Sequence, residues 1–126
     1  MNRIFDANEV LRIGLLCAGF DANRHIRVAE ETNVRRFQSH YGSSPLVCSM
    51  IWKDLVTAPG QVLPKSATFD KFLMALYFLK EYPTKEKLAG MWYTCEKSAR
   101  KWSWFFVNKI QALQAKKVSH VFQVGD

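Results

Sequence analysis

Apolar side chains recur at intervals of three and four residues along most of the chain. Sustained period-two alternation and Asn-Gly or Asp-Gly hairpin turns are both missing. This pattern predicts helices, and cap residues punctuate it. Asp6 or Asn8 caps a first helix carrying Val10, Ile13, Leu15 and Leu16, which ends near Gly19. Thr32 caps a second through Val34, Phe37 and Tyr41, stopped by Gly42. Ser44-Pro45 opens a third: a hydroxyl cap precedes a proline whose missing N–H is harmless in the first turn. Its expected inner face is Val47, Met50, Ile51 and Leu55. Pro59-Gly60 breaks the chain, and 59–66 read as a connector.

Thr68 opens the most apolar helix, Phe69–Tyr82, whose apolar surface wraps most of the way round and marks it as the central core helix. Pro83 ends it. Thr84 caps a short helix with Leu88, Met91 and Trp92 inward, and a long helix runs from about Cys95 to Lys117. The expected fold is therefore all-α: one domain over 1–126, a bundle of about six helices. Lead-in helices occupy 1–58, and a core helix plus a helix-turn-helix pair occupy 68–117.

Composition agrees with a single packed domain. The chain has 126 residues, 48% of them hydrophobic and 13% aromatic, enough to bury a core. The longest charge-free apolar runs, Ile13–Phe20 and Phe72–Leu79, are far below the ~18 residues of a membrane span. Arg3 is followed by Asp6 and Glu9 rather than by the apolar core of a secretory signal. Cys17, Cys48 and Cys95 are an odd, widely spaced set, and His25, His40 and His120 lie far from them. Buried free thiols in a reducing compartment are expected, with no disulfide framework and no metal site. The chain is thus expected to be intracellular rather than secreted.

Charge changes the picture more than composition does. The formal net charge is +7, and residues 80–118 hold nine basic side chains against three acidic ones, or +6 of the total. In the last helix, Ala99, Trp102, Phe106, Ile110 and Leu113 fall within about 80° of one another at 100° per residue and form the expected buried stripe. The opposite face carries Lys97, Arg100, Lys101, Trp104, Asn108 and Gln111. Lys97 and Lys101 repel mildly at i,i+4, with no acidic i,i+4 partner on the helix. Such a face matches a surface that contacts phosphates and base edges. Trp104 stacks, touches sugar–phosphate, or docks on another domain. The plainer alternative is a solubilising lysine face with Trp104 covering a neighbouring helix.

The segment FLMALYFLKEYPTKEKLAGMWYTCEKSARKWSWFFVNKIQAL (72–113) resembles the helix-turn-helix region that precedes the catalytic domain of Harbinger-like DDE transposases. RFQSHYGSSPLVCSMIW (36–52) resembles the lead-in helices of the same proteins. Together the two segments cover about half of the chain, and the KWxWFFVxKI string is the most specific part. The resemblance makes Thr84–Trp92 the first helix of the motif, with Ala89 as the small residue at the helix crossing. Ser98–Trp102 begins the recognition helix. Two positions depart from the pattern: Tyr93 stands where glycine is common before the turn, and Cys95 stands at the cap, with Thr94 as the alternative.

The resemblance implies double-stranded DNA as partner and a nuclear location. It assigns the contacts to Lys85, Lys87, Thr94, Lys97, Ser98, Arg100, Lys101, Trp104, Asn108 and Gln111. The three carboxylates and two metals of those transposases belong to an α/β fold that would follow the helices, and this sequence stops at Asp126. No catalytic set is carried over, so no enzymatic activity, cofactor or small-molecule ligand is expected of these residues. The competing expectation is a protein-interaction module, in which Trp104, Phe105 and Val107 form a patch for a catalytic domain or a second copy.

Overall fold

A computed structural model describes residues 3–20, 29–58 and 63–125, with side chains described through Gln114. The described residues form an all-α bundle of six helices: α1 (Ala7–Cys17), α2 (Glu30–Tyr41), α3 (Pro45–Thr57), α4 (Phe69–Glu81), α5 (Lys85–Met91) and α6 (Glu96–Gly125). Residues 59–62 of the expected connector lie outside the described residues.

Local chemistry sets most boundaries. Asp6, of the two candidates, caps α1: its carboxylate accepts from the Glu9 N–H at 2.8 Å, and Glu9 reaches back to the Asp6 N–H in a capping box. Ser44 accepts from the Val47 N–H at 3.1 Å, with Pro45 in the first turn of α3. Gly42 ends α2 in the left-handed region (φ 82°), where a side chain is costly. Thr32 does not cap α2; the cap position is Ala29, three residues earlier, with Glu30 and Glu31 in the first turn. Those two acids complement the positive end of the helix dipole, so the start needs no hydroxyl cap. Helix α4 stops at Glu81, one residue short of expectation, because Tyr82 turns into the left-handed region (φ 48°) ahead of Pro83. Helix α6 continues past Lys117 to Gly125.

Helix α4 is the centre of the bundle: Phe72 through Tyr77 are all buried in succession, as its apolar circumference requires. Trp52 of α3, 1% exposed, meets Phe69 and Phe72 of α4 and Phe106 of α6 with ring centroids 5.2, 5.5 and 6.1 Å away. Its indole N–H donates to the Arg3 carbonyl at 2.7 Å, so the buried polar atom is satisfied. Helices α1 and α2 meet at Gly14, where an added Cβ would lie 2.2 Å from the Phe37 ring. There the Tyr41 hydroxyl donates to the Gly14 carbonyl at 2.7 Å.

Helix α3 departs from the expected face. Its buried side is Pro45, Cys48, Trp52 and Leu55, whereas Val47 and Met50 are exposed. Apolar residues occur all round this helix, so the side is decided by the bulkiest ring, whose burial removes the most apolar area from water. Leu16 of α1, also expected inward, is exposed.

Candidate nucleic-acid interface

Helix α5 is a seven-residue helix capped by the Thr84 hydroxyl, which accepts from the Lys87 N–H at 3.2 Å. Leu88 and Ala89 anchor it to the core. The chain then turns through Trp92–Cys95. Tyr93 adopts the left-handed conformation (φ 51°), and the Thr94 N–H donates to the Ala89 carbonyl at 3.0 Å, closing a Schellman-type turn. The tyrosine therefore does the backbone work usually given to glycine, at a cost of roughly 1–2 kcal/mol. Its side chain is 98% exposed. At the start of α6 the Cys95 carbonyl accepts from the Ala99 N–H at 2.9 Å.

The Cys95 sulfur and the Ser98 hydroxyl are hydrogen-bonded at 3.3 Å, and as a thiolate the sulfur accepts from Ser98. Bonding to Ser98, first through the hydroxyl and then through its backbone N–H, holds the thiol below its ordinary range. Cys95 is exposed, contrary to the expectation of three buried thiols; its cap position leaves it outside the helix's inner face. Burial instead pushes Cys48 up to about 12 and, with Asp70 nearby, Cys17 up to about 11. Among the described residues no group of three or more His, Cys, Asp or Glu side chains is placed to hold a metal ion. No described helix is long and apolar enough to cross a membrane.

The inner face of α6 follows the predicted stripe. Ala99, Trp102 and Phe106 are buried, and Ile110 and Leu113 pack against the core. It is also wider than predicted, because Ser103 and Val107 are buried as well. Trp104, Phe105 and Val107 thus do not form the expected surface patch: Val107 is 3% exposed and Phe105 is half-buried.

On the outer face Lys97, Arg100, Lys101, Trp104, Asn108 and Gln111 are all exposed. Lys85, from the first turn of α5, joins Lys97, Arg100, Lys101, Trp104 and Glu96 around one open groove of about 520 Å³. Four cations and one carboxylate line it. Lys85 and Glu96 approach to 3.9 Å, and both are about half exposed, so this pair contributes little to stability. Among the described residues Lys97, Arg100 and Lys101 form no ion pair. The Lys101 ammonium lies 5.0 Å from the Trp102 ring centroid on the flank of the groove.

The other candidate residues fall outside the groove. Asn108 and Gln111 sit further along the same exposed face, one and two turns beyond Trp104. Lys87 is exposed but does not line the groove. Thr94 and Ser98 are half-buried and engaged in the turn and the cap.

Trp104 is 51% exposed, propped edge-on against Phe78 of α4 at 5.5 Å with the rings inclined by 69°. Phe78 in turn contacts Tyr82 at 6.1 Å, and Tyr82 is 75% exposed. These two aromatic neighbours do not follow from the periodicity of α6, because they arrive from another helix. The available hint is an aromatic held immediately before Pro83, where the helix must end.

No protein-family model, curated protein or solved structure matches the chain.

Proposed function

We propose that this chain is a DNA-binding helical module of the kind that precedes the catalytic domain in Harbinger-like DDE transposases, and that it docks the basic face of α6 on duplex DNA in the nucleus. The observation that carries this reading is the convergence of Lys85, Lys97, Arg100 and Lys101, from two helices, around one groove containing a single carboxylate. Cations concentrated without matching acids repel one another, and a polyanion relieves that cost. Lys97, Arg100 and Lys101 neutralise phosphates or read guanine edges, and Asn108 and Gln111 lie along the same face for further contacts. Lys85 holds the backbone from α5, and Lys87, outside the groove, adds charge from the same helix. Binding rather than catalysis is the role assigned to these residues.

Affinity for duplex should fall with salt at a log–log slope of about −0.9 per phosphate contact. The variant Lys97→Glu/Arg100→Glu/Lys101→Glu should lose duplex binding at ~150 mM salt. Undiminished binding by that variant in a fluorescence-anisotropy titration would show that the basic face is not the contact surface. The half-exposed indole of Trp104 supports a second reading, a contact with a catalytic domain or a second copy. Dimerisation abolished by Trp104→Ala, with no DNA affinity at any salt, would favour it.

A further inference from the structure

A face that only tracks the phosphates of a duplex has no use for a large aromatic in its middle, yet Trp104 stands inside the groove with half its surface in water. The indole is braced rather than loose. Phe78 supports it edge-on at 5.5 Å, and Phe78 is itself backed by Tyr82. No described cation lies over the Trp104 ring, whereas Lys71 and Lys101 lie over the neighbouring Trp102 at 4.5 and 5.0 Å. The exposed indole is therefore an aromatic surface ringed by cations but covered by none. Tyr82 adds to this edge an exposed phenol whose left-handed backbone costs energy that glycine would not.

Bases inside an intact duplex are stacked on one another and offer no face to an indole. An unpaired base offers both faces, and the phosphates on either side of it lie within reach of surrounding cations. The groove volume, about 520 Å³, falls in the range that accommodates a small ligand. We propose that this groove takes an unpaired nucleotide, its base stacked on Trp104 and its flanking phosphates held by Arg100 and Lys97, so that the module prefers DNA with a single-stranded tail or an extruded base over fully paired duplex. The proposal rests on the DNA-binding reading above and names the form of DNA that the same site selects.

The test compares a blunt duplex, the same duplex with a short unpaired tail, and the duplex with an abasic tail that keeps the phosphates but lacks bases. Anisotropy titrations use the parent chain, Trp104→Ala, Trp104→Phe and the Lys97→Glu/Arg100→Glu/Lys101→Glu variant, with far-UV circular dichroism checking that each is folded. The parent should bind the tailed duplex about tenfold more tightly than the blunt one, the scale of one base–aromatic stack. The abasic tail should give little of that gain. In Trp104→Ala the tailed-to-blunt ratio should fall to about one, and Trp104→Phe should recover most of it.

A parent ratio of one overturns the proposal. So does an abasic tail as effective as the natural one, or a ratio that survives Trp104→Ala. If blunt-duplex binding depends on the three cations while the tail makes no difference, this proposal falls and the DNA-binding reading stands. If the charge-reversed variant binds blunt duplex as the parent does, the DNA-binding reading falls instead.

Discussion

Helices α3 and α6 each press a tryptophan into the core, Trp52 from one and Trp102 from the other, and Phe106 of α6 touches both rings. They differ in what they turn outward. Helix α3 shows solvent Leu46, Val47 and Met50, which are exposed apolar side chains. Helix α6 shows Lys97, Arg100, Lys101, Asn108 and Gln111 around Trp104. An amphipathic helix can seat its apolar face in only one way, because the alternative buries charges at a cost of several kcal/mol. Helix α3 has apolar residues on both its inner and its outer face, with Lys53 and Asp54 as its charges, so its neighbours have more say in which side is buried. The same contrast separates the exposed residues: scattered surface aliphatics are ordinary, while the braced indole beside Lys97, Arg100 and Lys101 is the observation on which the proposed contact rests.

The largest effect expected of this comparison lies on the inner face of α3. Trp52→Ala removes the largest fully buried side chain and leaves the Arg3 carbonyl without its donor, so a loss of about 3–5 kcal/mol should appear in urea unfolding. A loss below 1 kcal/mol would mean that α3 rotates to its alternative seat, with Met50 and Val47 inward.

The inner face of α6 gives a smaller change of opposite sign. The Ser103 hydroxyl is fully buried with no hydrogen-bond partner among the described residues. Ser103→Ala removes that burden and favours the helix, and should stabilise the fold by about 1 kcal/mol. A destabilisation on the same unfolding curve would show that the hydroxyl holds a partner after all. The smallest effect belongs to the outer face of α3: Met50, 57% exposed, should tolerate Met50→Gln with a change of no more than about 0.5 kcal/mol. A larger loss in thermal melts would reveal that this face is covered.

Some features were legible because their causes lie within three or four residues along the chain. The caps at Asp6, Ser44 and Thr84 each accept from a backbone N–H three positions on. Gly42 stops α2 by its own backbone freedom. The start of α2 is not legible in this way: Thr32 resembles a cap, but the helix begins after Ala29 with no side-chain cap, and Glu30 and Glu31 complement its dipole. The resemblance already puts Tyr93 at a position where glycine is common, and the structure shows the tyrosine itself adopting the left-handed backbone there. That conformation is fixed by where α5 and α6 must pack, not by any preference of tyrosine.

For the candidate site, the sequence alone placed Lys97, Arg100, Lys101 and Trp104 on one face, since a 3.6-residue period needs no partner to define it. It determined equally that Ala99, Trp102 and Phe106 would face inward. Only the tertiary structure decided that Lys85 joins those cations while Lys87 stands apart, and that Glu96 is the carboxylate among them. It also decided that Val107 is buried and that Phe78 braces Trp104. Periodicity describes the faces of a single helix, whereas a groove between helices depends on their rotation and separation. Those are set by how α4, apolar on nearly every side, shares its surface among its neighbours.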